Sequence, residues 1–209
     1  YETILSGFRE GSYDILVGTQ MIAKGHDIPN VTLVGVVSAD VGLGMPDFRA
    51  AERTFQLLTQ VAGRAGRGSV PGEVLVQTIN PDHYAIRFAA AQDYDQFYEK
   101  ELQFRRLMRY PPFSALANVL VRSESREQAL KLSGDLGALL TPPPEQLKVL
   151  GPAEAPVPRL KKEYRYQLLI KAASRKALKS VLEDMRRFAL ERKWPATALV
   201  IDVDPLTLL

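Results

Sequence analysis

At 209 residues, 46% of them hydrophobic and 24% charged, the chain has the balance of a globular protein able to form one large core or two small ones. The absence of cysteine excludes disulfides and thiolate metal sites within these residues, and His26 and His83, the only histidines, leave little for a histidine-built site, so no metal is expected here. No apolar run approaches a membrane span, nothing at the start resembles a secretory leader, and a formal net charge of +3 is compatible with nucleic acid without demanding it.

Ile15-Leu16-Val17 and the run from Val31 to Val37 are continuous apolar stretches, which predicts strands covered on both faces. A helix is expected from about Arg49 to Ala62, with Asp47 as its N-cap. "GEVLVQT", Gly72 to Thr78, reads as a third strand after a turn at Pro71 and Gly72. Asp82 to Tyr110 reads as helix, broken near Gln92-Asp93. This alternation argues a parallel α/β layer. The prolines of "YPPF", Tyr110 to Phe113, end the helix, because proline lacks an amide donor and restricts the residue before it.

After the prolines the pattern restarts. Asn118 to Arg122 reads as a strand, and "SREQ", Ser125 to Gln128, is a capping-box signature opening a helix with Leu132, Leu136, Leu139 and Leu140 inward. Pro142 to Pro144 impose a loop, and strands follow near Leu147–Leu150 and Tyr164–Ala172. Ser174 caps a second helix in which Leu178, Val181, Leu182, Met185, Phe188 and Ala189 keep helical spacing, and "ALVIDVDP" closes as a strand. The order βαββαβ is a ferredoxin-like α+β plan. The expected domains are therefore residues 1–112, an α/β unit, and residues 113–209, the small α+β unit.

The chemically loaded stretch is "QVAGRAGR", Gln60 to Arg67. Arg64 and Arg67 carry planar guanidinium forks that match phosphate oxygens, and an arginine delivered to a γ-phosphate stabilises transition-state charge. A glycine-rich basic surface turn fits the octet equally well, and no G-x-x-x-x-G-K-[ST] loop occurs in the chain. A second polar loop, with Thr19, Gln20, Lys24, Gly25 and Asp27, follows the first apolar run, at the edge where open α/β sheets bind ligands. In the last third, "PRLKKEYRYQ" interleaves Arg159, Lys161, Lys162 and Arg165 with Tyr164 and Tyr166, which suits phosphate contact plus base stacking. A solvated loop with both tyrosines in the core is the competing reading. Arg175 and Lys179, one turn apart near a helix start, suit an acidic peptide tail, and equally suit ordinary surface charge.

Taken together these stretches resemble one family. The order GTQMIAKGHD, PDFRAAERTFQLLTQVAGRAGRG, GEVLVQT and PDHYAI, then RRLMRYPPF, VLGPAEAPVPRLKKEYRYQLLIK and DVDP, is similar to the PriA family of primosomal replication-restart helicases over essentially the whole chain. The resemblance implies a fold: part of the second RecA-like helicase lobe, then a PriA-type C-terminal domain. It implies that Arg64 and Arg67 are the motif VI arginines facing the ATP γ-phosphate, with Gln60 coupling that cleft to nucleotide state. Thr19 to Asp27 become motif V, with Gly25 and Asp27 on the nucleotide side and Thr19, Gln20 and Lys24 toward the DNA strand. Asp47, Arg49, Glu52 and Arg53 belong to the lead-in to motif VI, where helix-start capping and charge pairing explain them as well.

For the full-length protein the resemblance implies an ATP- and Mg-dependent 3′-to-5′ DNA helicase that assembles primosomes at stalled or branched forks. It also implies a zinc bound upstream, by cysteines this chain lacks. Its implied partners are branched, forked and single-stranded DNA, single-stranded-DNA-binding protein and other primosome proteins, in a cytoplasmic, nucleoid-associated bacterial setting. Because the chain starts at Tyr1 and lacks the phosphate loop, it is expected to be a fragment without ATPase activity of its own. The rival expectation is a non-catalytic DNA- and protein-docking module.

Overall fold

The computed structural model describes residues 2–19, 31–63, 65 and 71–208. They divide into two compact units, Tyr1–Met45 with Arg49–Glu101, and Pro46–Phe48 with Leu102–Leu209.

In the first unit, helix α1 (Glu2–Arg9) buries Leu5. Strand β1 (Leu33–Val36) pairs in parallel with β2 (Glu73–Val76), Leu33 opposite Glu73 and Val36 opposite Val76. Between them run a one-turn helix α2 (Asp40–Leu43) and the longer α3 (Ala50–Ala62), which buries Thr54, Phe55, Leu58 and Val61 at helical spacing. After β2 come α4 (Tyr84–Ala90) and α5 (Tyr94–Met108). The core joins Phe55 and Leu58 to Ala85, Ile86 and Ala89 of α4 and Phe97 of α5. Phe55 and Phe97 stack at 4.0 Å. The helix break expected near Gln92 is present: Gln92 has φ 52°, and Asp93 Oδ1 accepts the Gln96 amide at 3.0 Å to start α5.

Three expectations for this unit fail. The run from Val31 to Val37 forms β1 but is not covered on both faces, Leu33 being 55% and Val37 79% exposed. Ile15 to Val17 form no strand, and Ile15 and Val17 are 79% and 87% exposed. An apolar run becomes a strand only beside a pairing neighbour, and none of the described residues pairs with it. Asp47 does not cap α3, whose N-cap is Arg49 with no side-chain cap bond. Its carboxylate is buried in the second unit and accepts the Leu208 amide at 3.2 Å.

The second unit is built from β3 (Ala115–Ser123), α6 (Arg126–Leu139), β4 (Leu147–Leu160), β5 (Glu163–Ala172), α7 (Arg175–Glu191) and β6 (Leu199–Val203). The antiparallel sheet runs β4-β5-β3-β6, the ferredoxin-like arrangement of a βαββαβ chain. One face packs Val119, Val121, Leu168 and Ile170 against Leu132 and Leu136 of α6 and Leu178, Leu182 and Met185 of α7. On the other face Leu116 and Leu169 meet Phe48, Tyr110 and Leu208, with Phe48 stacked on Tyr110 at 5.0 Å. Leu139, expected inward, is 40% exposed, because Leu136 and Leu140 already fill that helical face.

The capping box is present in altered form. Ser125 Oγ accepts the Gln128 amide at 3.3 Å, but the Gln128 carbonyl does not return to the Ser125 amide. It accepts from Ser123 Oγ at 2.8 Å, and Ser123 Oγ accepts the Ser125 amide at 3.2 Å. Ser174 caps α7 by accepting the Ala177 amide at 3.2 Å. The two units part between Glu101 and Leu102, inside α5, whereas the sequence suggests a break at the prolines. The last turns of α5 already contribute to the second unit: the Arg105 guanidinium lies 5.3 Å over Phe48 and Phe104 meets Tyr110 at 6.5 Å.

Candidate functional site

Of the residues expected around the nucleotide, Arg64, Arg67, Gln20, Lys24, Gly25 and Asp27 lie outside the described residues. Gln60 sits half-buried in the last turn of α3, and Thr19 is exposed in the segment after α1. In the same unit the carboxyl ends of β1 and β2 are tied by Asp40, a residue that sequence reasoning passes over. Its carboxylate accepts from Thr78 Oγ1, the Ile79 amide and Asn80 Nδ2, each at 3.0 Å. Burial alone raises a carboxyl pKa, but these bonds outweigh it and hold Asp40 below the usual value. The clasp fixes the sheet edge at which a ligand of such a layer sits.

The cations of "PRLKKEYRYQ" lie on a hairpin. β4 and β5 run together to a two-residue tip at the end of the sheet, with Leu160 paired to Glu163 and Arg159 to Tyr164, and β3 accompanies β5 as far as Tyr164. Lys161 and Lys162 are the tip, exposed, with φ of 50° and 71°. Gly151, at φ 101°, lies where the β4–β5 register shifts between Leu150 and Ala153, and a Cβ there meets the Gln167 carbonyl at 2.6 Å. Arg165 is half-buried and donates to the Val157 carbonyl at 3.3 Å, so it braces the arm instead of projecting from it. Tyr166 is buried and Tyr164 carries the Arg159 guanidinium 5.1 Å over its ring. Of the two sequence readings, the core placement holds for Tyr166, and Tyr164 is faced by Arg159 instead of lying open for a base. The Arg159–Tyr164 contact follows from hairpin register, a signal present once the turn is placed at Lys161-Lys162.

Arg175 and Lys179 stand as expected on the first turns of α7. With Leu178, Leu182, Glu183, Arg186 and Val203 they line a pocket of about 320 Å³, an apolar floor rimmed by three cations and one carboxylate. Arg175 pairs with Asp204 at 2.7 Å and Lys179 with Glu183 at 3.7 Å, all on exposed side chains. Such pairs are worth little in water, so an incoming carboxylate can exchange with them at small cost.

A buried cation lies elsewhere in the same unit. Lys171 is 3% exposed; its Nζ donates to the Met108 carbonyl at 2.9 Å and sits 3.3 Å from the Tyr110 ring centroid. Burial first, and Lys148 opposite it on β4 second, push its pKa down to about 8. Among the described residues no three histidines, cysteines, aspartates or glutamates gather to hold a metal, and no helix is long and apolar enough to cross a membrane.

Comparison with known proteins completes the picture. Residues 106–206 match the primosomal protein N C-terminal domain, and residues 1–69 the helicase conserved C-terminal domain. The replication restart protein PriA of Bacillus subtilis (strain 168) is 45% identical over 207 residues, covering 98% of this chain and 26% of that protein. The PriA proteins of Chlamydia pneumoniae and Treponema pallidum (strain Nichols) are 40% and 45% identical, covering 99% and 97% of the chain and 28% and 31% of their own lengths. The chain thus spans between a quarter and a third of the length of these relatives. With two adjoining domains of this kind and relatives of one name aligned along nearly all of it, the chain belongs to the PriA family.

Proposed function

We propose that the chain is the part of an ATP-dependent, 3′-to-5′ superfamily 2 DNA helicase that restarts replication at stalled or branched forks, and that it serves by itself as a DNA- and protein-docking module. One observation carries this reading: a helicase C-terminal domain and a primosomal C-terminal domain adjoin in one chain whose relatives are replication restart proteins. In the full-length protein Arg64 and Arg67 act on the γ-phosphate of Mg-bound ATP, Gln60 couples that cleft to nucleotide state, and Gly25 and Asp27 lie on its nucleotide side. Thr19, Gln20 and Lys24 face the DNA strand. Zinc finds no thiolate in these residues and is held elsewhere in the full-length protein. The setting is the bacterial cytoplasm, at the nucleoid.

Docking falls to the second unit. Lys161 and Lys162 contact nucleic acid, with Arg165 bracing them, and the pocket at Arg175 and Lys179 receives an acidic peptide such as the tail of single-stranded-DNA-binding protein, bringing other primosome proteins to the fork. Support comes from the pocket's rim, three cations against the one carboxylate of Glu183, over an apolar floor. The test of the helicase reading is Arg64→Ala in the full-length protein. DNA-stimulated ATP turnover should vanish while DNA binding persists, and the 209-residue chain alone should not hydrolyse ATP. Normal turnover with lost DNA binding in the variant, or DNA-stimulated hydrolysis by the chain alone, would overturn it.

A further inference from the structure

The tip of the β4–β5 arm is an unusual place for two lysines. A two-residue hairpin loop with both residues at positive φ is a type I′ turn, which matches the twist of the strands and favours Asn-Gly. At positive φ a Cβ crowds the following carbonyl, so lysine gives the turn nothing that Asn-Gly would not give more cheaply. Among the described residues no intramolecular ion pair accounts for the lysines either. The acidic residues nearest along the arm are engaged elsewhere, Glu163 with Arg122 at 3.1 Å and Glu154 with Arg126 at 3.0 Å. Two ammonium groups are thus held at a fixed, exposed point by a braced ladder, in the conformation least suited to them.

The aromatic side chains of the arm narrow the ligand. Single strands without sequence preference are held by bases stacking on open rings above a cationic groove. Here Tyr166 is 6% exposed and Tyr164 is faced by Arg159. What the hairpin offers outward is charge beside the aliphatic Leu160, 50% exposed, with no open aromatic ring, which suits a regularly spaced phosphate backbone whose bases are already stacked on one another.

From this we infer that the two-lysine tip of the β4–β5 arm grips the phosphate backbone of duplex DNA and does not take single strands by base stacking. The inference rests on the DNA-docking reading above and narrows it to one form of DNA and one structural element. Contact is sequence-independent and electrostatic, and each ammonium that meets a phosphate releases a counterion.

The turn's own preference supplies the test. Lys161→Asn with Lys162→Gly places the favoured residues in an unchanged turn and removes both charges, and Lys161→Glu with Lys162→Glu reverses them. The 209-residue chain is titrated with a fluorescein-labelled duplex and with a single strand of equal length carrying 2-aminopurine, across a salt series. The Asn-Gly chain should melt no lower than the parent. Its duplex affinity should fall, with a salt slope shallower by about 1.8, roughly 0.9 for each lost phosphate contact. The Glu-Glu chain should bind duplex more weakly still, which keeps the test decisive if the Asn-Gly chain folds poorly. Single-strand affinity and 2-aminopurine emission should stay as in the parent. Parent-like duplex affinity and slope in a folded variant would overturn the arm's role while leaving DNA docking intact. A parent that binds neither DNA form would overturn both readings. Loss confined to the single strand, with loss of 2-aminopurine quenching, would refute the duplex assignment, as would lysine-dependent binding to anionic vesicles with none to duplex.

Discussion

Replacing Lys171 by methionine should leave the second unit about as stable near neutrality and abolish its gain in stability in mild alkali. Lys171 is 3% exposed, and its pKa falls from 10.5 to about 8 on folding, through burial first and Lys148 second. That displacement corresponds to about 3 kcal/mol that folding forgoes at pH 7 to keep the ammonium charged. Between pH 8 and 10.5 the unfolded chain holds the proton that the native chain has released, so stability rises with pH in that window. By pH 9.5 the gain is about 2 kcal/mol relative to pH 7. Tyr110 acts oppositely: burial and then Asp47 raise its pKa, so the unfolded chain loses that proton first and stability falls above pH 10. Measurements should therefore stop at pH 9.5.

Methionine removes the cost of burying charge, but it also removes the hydrogen bond to the Met108 carbonyl and the contact with the Tyr110 ring. Those are worth about 1.5–3 and about 1–2 kcal/mol, so gain and loss nearly cancel at pH 7. Urea unfolding followed by Trp194 is the assay. It is the only tryptophan and packs edge-on against Phe188 at 6.0 Å in this unit, so its emission reports this unit. A variant that keeps the alkaline gain, or a parent that loses stability between pH 7 and 9.5, would show that Lys171 is not the titrating group.

Ser125→Ala should cost about 1 kcal/mol in the same assay, because the cap on the Gln128 amide is lost. Gly151→Ala should cost roughly 2 kcal/mol or more, since φ 101° and a Cβ 2.6 Å from the Gln167 carbonyl are both hostile to a side chain. Arg175→Glu should weaken binding of a labelled acidic peptide about tenfold or more by fluorescence anisotropy, the loss of one charge-assisted contact. Unchanged peptide affinity would remove the pocket's assigned role.

Features encoded by near neighbours were legible from the residues. The caps at Ser125 and Ser174 and the helix break at Gln92-Asp93 depend on groups within a few positions, and they fold as read. Features decided by distant partners were not. Asp47 has the composition of an N-cap, yet its partner is Leu208, 161 residues away. Ile15 to Val17 look like a strand, but a strand is defined by its neighbour, and none of the described residues supplies one. β4 reads only to Leu150 because Gly151, Pro152, Pro156 and Pro158 look like breakers. Its place at the sheet edge explains their tolerance: an absent amide on an edge strand leaves no ladder bond unmade, and the register shifts absorb the rest. At the candidate site the pocket residues Arg175 and Lys179 were found by helical spacing and the burial of Tyr166 was one of two readings of its strand, whereas the engagement of Tyr164 and the bracing role of Arg165 needed the hairpin register.

That register also changes how much positive charge the last third of the chain can lend to a ligand. By composition the stretch from Arg159 to Lys179 looks like one broad basic patch. In the fold its cations are of three kinds, apart from Lys176, which is exposed on the first turn of α7. Lys171 is consumed internally by the Met108 carbonyl and the Tyr110 ring, Arg165 by Val157, and Arg159 by Tyr164. Arg175 and Lys179 are held in exposed pairs that an acidic peptide can exchange. Lys161 and Lys162 alone combine full exposure with a strained, fixed backbone. A chain binding DNA through all of its basic residues would lose affinity very steeply with salt, by about 0.9 log units per contact for each decade. Through the tip alone the dependence should be close to two units, and peptide and DNA should bind without competing, because their cations belong to different elements.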